Sequence, residues 1–242
     1  PRQRNGADED RMAGSYLGPR FDDDEVVAVL DARDAVYRRL EDADLFATVA
    51  EAMDTGSVVG WFQDRMEFGP RALGARSILG DPRSPTMQRM LNLKIKYRES
   101  FRPFAPAVLR DDVGDYFELD SDSPYMLIVA GVRESLRCDQ SAGDQQKTGF
   151  NQLNVVRSSL PAITHIDYSA RVQTVDGKTN PRFFNLIKAF KERTGCGVLV
   201  NTSFNVRDEP IVCDPDDAYR CFMATEMDML VLGNYVLRKS HQ

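Results

Sequence analysis

Two glycine-rich signatures are missing from this chain. It has no GxxxxGK[ST] stretch, which excludes a P-loop, and no GxGxxG, which leaves a dinucleotide-binding fold without support. Histidine is scarce, with only His165 and His241. The four cysteines (Cys138, Cys196, Cys213, Cys221) form no CxxC pair and no metal-like rhythm with them. They read as free buried thiols of a reducing cytoplasm. No apolar run reaches the roughly 18 residues a membrane helix needs. The opening Pro1-Arg2-Gln3-Arg4-Asn5-Gly6 has no apolar core of a secretory signal. It also lacks an initiator Met, as expected of a fragment of a longer protein or of a processed one.

The 242 residues, 42% hydrophobic and 28% charged, are enough for one large globular domain or a domain with an appendage. An isoelectric point near 5.1 speaks against a dedicated nucleic-acid binder. That average hides an asymmetry. Between residues 65 and 110 ten Lys and Arg face only Glu67, Asp81 and Glu99, a local charge of +7, so the remainder carries −13 of the overall −6. A basic block in an acidic protein predicts a local anion site, because charge focused in a cleft concentrates an oppositely charged ligand. A solvated basic helix face is the plainer alternative. The block is rich in arginine, whose planar fork matches phosphate oxygens in pairs.

Along the chain, residues 1–24 read as a linker or domain edge. Residues 25–56 read as a helical lead-in, with helices over 25–40 and 44–55. From 57 onward strands are expected at 57–62, 104–109, 125–132, 162–166 and 170–175. Ser84-Pro85 is expected to cap a helix through Met87 and Met90, delivering Lys94, Lys96 and Arg98. Residues 133–157 read as a long loop. Asn180-Pro181 and Asp214-Pro215 cap two further helices, the first ended by Gly195. Residues 197–201 read as a strand leading into Thr202-Ser203-Phe204-Asn205, and 229–232 and 235–238 close as strands. Mixed elements without strict βαβ alternation predict an α/β (α+β) fold on one twisted, mixed sheet.

Two stretches carry chemistry. Arg71 and Arg76 flank the turn Glu67-Phe68-Gly69-Pro70-Arg71-Ala72-Leu73-Gly74, and Arg98 and Arg102 flank Phe101, which with Pro103-Phe104 could fix that loop on the core. Asn201-Thr202-Ser203-Phe204-Asn205 sets small polar side chains at a strand's end, where ligands often gather; a cluster of caps and Asx turns is the plainer reading. His165 reads as a structural histidine and Trp61 as core.

These residues carry a resemblance. The 67–74 stretch, Arg76-Ser77-Ile78-Leu79, Lys94-Ile95-Lys96-Tyr97-Arg98-Glu99, Phe101-Arg102-Pro103-Phe104-Ala105-Pro106, Ala170-Arg171-Val172-Gln173-Thr174-Val175 and Asn201-Thr202-Ser203-Phe204-Asn205 resemble the C-terminal domain of the O-carbamoyltransferases that decorate antibiotics and nodulation factors. The likeness runs in order from about residue 57 to residue 239. Within it, Lys96-x-Arg98 and Ser203-x-Asn205 resemble the KxR and SxN signature of YrdC-type domains. The resemblance implies a YrdC-like domain over 57–242, a twisted sheet with a basic concave face that forms carbamoyl-adenylate from ATP, with Mg2+, and carbamoyl phosphate. It implies Lys96, Arg98, Arg171 and Ser203 as catalytic groups, and Arg71, Arg76, Arg102, Asn201, Thr202 and Asn205 around the nucleotide. No tightly bound metal is expected in this chain. The partner it implies is an N-terminal, metal-binding acceptor domain, with neither membrane nor nucleic acid involved. Asp64 and Asp208 stand where that family usually has glycine; Asp tolerates a left-handed backbone well. A threonylcarbamoyl-adenylate synthase shares KxR and SxN and is one rival; a nucleotide- or RNA-binding module without turnover is the other.

Overall fold

Asp22 opens helix α1 (Asp23–Ala32) with a reciprocal capping box: its side chain accepts from Glu25 N at 2.9 Å and Glu25 Oε2 accepts from Asp22 N at 2.9 Å. The computed structural model describes residues 10, 12–99, 102–139, 148, 149, 152 and 155–242. The helix expected over 25–40 stops at Ala32. Asp34 turns left-handed (φ 50°), and Tyr37–Arg39 becomes strand β1, paired with the chain's last strand. A local charge pattern cannot foresee that distant partner. Helix α2 (Asp42–Asp54) follows and buries Leu45, Phe46, Val49 and Met53.

Strands β2 (Val59–Phe62), β3 (Arg76–Gly80), β4 (Ala105–Leu109), β5 (Ile128–Gly131), β6 (Ser169–Val175), β7 (Val198–Ser203), β8 (Met229–Leu232) and β9 (Tyr235–Arg238) join β1. Among the described residues these nine form one mixed sheet in the order β1-β9-β8-β2-β3-β7-β4-β6-β5. The α/β fold on a single mixed sheet is the one expected. The strand expected at 162–166 is instead a set of turns, with Ile163 N bonded to Leu160 O and Ala162 N to Pro82 O. Its alternation comes from burying Ala162 and Ile163 under a loop.

Helix α3 (Met87–Met90) starts at Thr86 without a side-chain cap and passes into a π turn (Leu91–Ile95), so the expected Ser84 cap is not used. A short α4 (Val113–Tyr116) precedes β5. Helix α5 (Pro181–Thr194) is capped by Asn180 Oδ1 on Phe183 N at 3.0 Å and ended by Gly195 at φ 77°, as expected. Helix α6 (Pro215–Ala224) is capped by Asp214. Helices α2 and α5 pack on each other, and residues of α1, α2, α5, α6 and the central strands share one core cluster. Trp61 lies fully inside it. Of the four cysteines, all free, Cys196 and Cys221 are buried, while Cys138 and Cys213 are exposed. Residues 140–147, 150, 151, 153 and 154 of the expected 133–157 loop lie outside the described residues, as do residues 1–9 and Phe101.

Strand β7 runs antiparallel to β3 and β4, and β4 runs parallel to β6. The C-terminal end of β7 and the N-terminal ends of β3, β4 and β6 therefore meet at one end of the sheet.

Candidate anion-binding site

At that end the 67–74 loop is organised by one buried carboxylate. Glu67, 4% exposed, accepts at Oε1 from Leu73 N (2.7 Å), Ala75 N (2.6 Å) and Arg76 N (3.2 Å). Gly74 sits at φ 103°, and a Cβ there would fall 2.2 Å from Phe183 Cδ1, so no other residue fits. From the sheet, Gln173 Nε2 donates to Leu73 O (2.8 Å), while Asn201 Nδ2 donates to Ala72 O (3.2 Å) and to Gln173 Oε1 (2.7 Å). The loop is thus pinned over the face of β6 and β7 that carries Gln173 and Asn201.

Arg171 lies two residues before Gln173 on β6 and so projects from that same face. Arg71, on the loop, lies near enough for its charge to act on Arg171. Burial first, then the charge of Arg71, lowers the pKa of Arg171. The Nε of each guanidinium is buried and meets no hydrogen-bond partner among the described residues. Two neighbouring cations with buried N–H groups unmet are costly, and an anion beside them would offset that cost.

Lys96 follows the π turn, and Tyr97 after it is left-handed (φ 47°). The Lys96 side chain, 4% exposed, donates from Nζ to Asn205 O (2.8 Å), Asn205 Oδ1 (2.8 Å), Ser203 Oγ (3.3 Å) and Ser203 O. Ser203 Oγ in turn donates to Asn205 Oδ1 (2.7 Å). Burial, then the Arg98 charge, push the Lys96 ammonium down to about 7; its oxygen partners favour the charged form. Arg98 donates from Nε to Asn92 Oδ1 (2.6 Å) and stacks 4.9 Å from the Phe104 ring centroid. Burial and then Arg102 lower it to about 10. Lys96, Arg98, Arg102, Ser203 and Asn205 line a cleft of about 340 Å³, together with Glu99, Val206, Arg207 and Asp208. The left-handed Asp208 (φ 64°) shapes its rim, and Asp64 (φ 40°) shapes the turn before the 67–74 loop. Both aspartates hold the backbone that glycine would.

Not every expected residue reaches the cleft. Arg76 is fully buried and donates to Gln63 O (2.7 Å), Ala75 O (3.0 Å), Asp64 O (3.3 Å) and Pro19 O (3.3 Å), its guanidinium 3.5 Å from the Phe62 ring centroid. It braces the loop. Thr202 alternates with Asn201 and Ser203 along β7 and points to the other face of the sheet. Strand β7 extends through Ser203, so the polar cluster begins inside the strand. Asn201 holds the 67–74 loop. Arg171 and the Lys96 cluster are separated by β4, about 10 Å at the usual strand spacing. Glu67 and Gln173, which sequence reasoning gave no role, build the loop support. Glu67 was signalled as an acid inside a basic block and as the first residue of the 67–74 motif, without a role. His165 half-faces a neighbouring cleft of about 490 Å³; its ring is depressed by burial, with Asp167 opposing and Arg171 reinforcing.

Among the described residues no three His, Cys, Asp or Glu side chains gather as a metal cage. Glu99 and Asp208 are the carboxylates lining the smaller cleft. They fit a Mg2+ carried in by a nucleotide, held by phosphate and water with at most one or two carboxylates.

Fold and geometry together define an α/β domain with arginine and lysine side chains gathered at one end of a mixed sheet. The chain belongs to the carbamoyltransferase family: residues 50–239 match its C-terminus. It is 64% identical over 235 residues to an uncharacterized protein of Synechocystis sp., covering 96% of this chain and 38% of that one. Nodulation protein NolO of Bradyrhizobium diazoefficiens is 40% identical over 237 residues (96% and 40%). The 3'-hydroxymethylcephem-O-carbamoyltransferase of Streptomyces clavuligerus is 35% identical over 193 residues (80% and 33%). The chain therefore spans well under half the length of these relatives. Among solved structures, full-length HypF in its phosphate- and nucleotide-bound form shares the fold at a TM-score of 0.50 and 16% identity, over 79% of this chain and 25% of HypF. No helix among the described residues is long and apolar enough to cross a membrane.

Proposed function

We propose that this domain binds ATP and carbamoyl phosphate and forms carbamoyl-adenylate, which a second domain transfers to an acceptor hydroxyl. Water first cleaves carbamoyl phosphate to carbamate and phosphate. A carbamate oxygen then bonds to the α-phosphorus of ATP as the bond to the β-phosphate oxygen breaks, and pyrophosphate leaves with the electron pair. Such chemistry needs no side-chain nucleophile, only positioned cations that stabilise charge on phosphoryl oxygens. The observation that carries the reading is the Arg71–Arg171 pair, its Nε atoms buried and unmatched, at the sheet end where Lys96, Ser203 and Asn205 converge.

In this reading Arg71 and Arg171 take the acyl phosphate, and later the carbamoyl end of the adenylate. Lys96, Arg98 and Arg102 take the nucleotide phosphates, with Ser203 and Asn205 fixing the Lys96 ammonium. The acceptor site belongs to the length of the relatives that this chain does not cover. The four free cysteines suit a reducing, cytoplasmic setting.

The test is ATP–pyrophosphate exchange with carbamoyl phosphate supplied. Lys96→Ala or Arg171→Ala is expected to lower exchange at least 100-fold with an unchanged circular dichroism spectrum. Exchange that persists in either variant removes that residue from the site. Exchange that needs threonine and bicarbonate instead would favour the threonylcarbamoyl-adenylate reading.

A further inference from the structure

Strand β6 carries Ser169 and Arg171 on one face, about 7 Å apart at the usual rise per residue. The turn before the strand fixes Ser169. Its N–H donates to Asp167 Oδ1 (3.1 Å), its hydroxyl donates to the same oxygen (2.6 Å), and its carbonyl accepts from His165 N (2.9 Å). His165 Nδ1 lies 3.3 Å from Ser169 Oγ. That hydroxyl has one proton and gives it to Asp167, so toward His165 its oxygen can only accept. Nδ1 therefore carries the ring proton and Nε2 the lone pair. A purely structural histidine would have both ring nitrogens met, whereas Nε2 meets no partner among the described residues. The ring lines the cleft of about 490 Å³ with Gln88, Pro103, Arg157 and Asp167. Arg102 and Pro103 separate this cleft from the one holding Lys96, and Gln88 Nε2 donates to Arg102 O at 3.3 Å. Burial first, with Arg171 reinforcing and Asp167 opposing, holds the ring below the ordinary histidine value, so it is neutral at pH 7.

We propose that His165 is the general base of carbamoyl phosphate hydrolysis, with its open Nε2 turned to water in this cleft beside Arg171. The inference rests on the proposed function. Adenylation starts from carbamate, already an anion, and needs no base. The hydrolysis before it starts from water, a poor nucleophile until a proton is drawn from it. Nε2 takes that proton as the water oxygen bonds to the carbamoyl carbon. The bond from that carbon to the phosphate oxygen then breaks, and phosphate leaves with the electron pair. The departing phosphate takes the proton back from the imidazolium, and the second water proton goes to solvent. Carbamate and hydrogen phosphate result. Asp167 and Ser169 touch no reacting atom in this scheme; they are positioning residues that keep the ring proton on Nδ1.

The test uses the full-length polypeptide that carries this domain. Phosphate release from carbamoyl phosphate is followed with an α,β-methylene ATP analogue in place of ATP, so that adenylation cannot proceed. His165→Ala and His165→Gln, with unchanged circular dichroism spectra, are expected to lower kcat for phosphate release roughly 100-fold or more, with KM within threefold. A loss carried by KM instead would make His165 a binding group and overturn the proposal. ATP–pyrophosphate exchange supplies the second arm. With carbamoyl phosphate it should fall as hydrolysis falls. With ammonium carbamate in its place it should return to within threefold of wild type in both His165 variants and stay lost in Lys96→Ala. Phosphate release within threefold of wild type in either variant, or exchange equally lost with carbamate, overturns the proposal. So does wild-type phosphate release no faster than the uncatalysed reaction. If the wild-type protein exchanges with neither donor, the proposed function fails and phosphate release alone decides the role of His165.

Discussion

Lys96 is a buried cation whose proton is held loosely enough to matter near neutrality. Its ammonium persists below about pH 7 and is lost above it, so affinity for a nucleotide phosphate should fall about tenfold between pH 6 and pH 8. Lys96→Arg, which stays charged, should flatten that slope in calorimetric titrations with an ATP analogue. Stability moves the other way. Between pH 7 and the ordinary lysine value of 10.5 the unfolded chain holds a proton that the native state has released, so Lys96 makes folding more favourable as pH rises. The melting temperature of the wild-type protein relative to Lys96→Met should therefore climb over that range. Glu67 acts on the backbone instead. Losing its Oε1 leaves three buried N–H groups unmet, so Glu67→Ala should cost about 3 kcal/mol in urea unfolding. Glu67→Gln keeps an acceptor there and should cost less than about 1.5 kcal/mol. At this scale the sequence was only partly legible. Arg76 and Arg171 look alike in a basic motif, and the Nε of each is buried without a partner among the described residues; what sets Arg76 apart is that its terminal nitrogens are spent on carbonyl oxygens inside the fold, one as distant as Pro19.

Elements were legible where their cues are local. Asn180-Pro181 and Asp214-Pro215 start α5 and α6 because cap and ring act within one turn, and the continuous apolar run of β8 is buried along its whole length. Asn180→Ala should destabilise the protein by about 1 kcal/mol in denaturant titrations, and Asn180→Ser should recover most of that. Illegible elements depend on partners far along the chain. Strand β1 exists through β9, nearly 200 residues later, and residues 162–166 turn because Ala162 N is held by Pro82 O. The extension of β7 through Ser203 likewise needs β3 beside it, with Ser77 opposite Ser203.

At the scale of the molecule, antiparallel and parallel pairings bring the starts of β3, β4 and β6 to the end of β7. Four separate stretches of chain thereby supply the proposed anion site, and none could do so alone. If the acceptor site lies, as proposed, in the length this chain does not cover, the isolated domain should release pyrophosphate yet leave simple alcohols uncarbamoylated, as followed by mass spectrometry. The most direct measurement is a crystal structure of this chain with a non-hydrolysable ATP analogue and carbamoyl phosphate. The account predicts phosphate oxygens within hydrogen-bonding distance of Lys96 Nζ and of the Arg171 guanidinium in one continuous site. A nucleotide bound elsewhere, with Arg71 and Arg171 still unmatched, would contradict it.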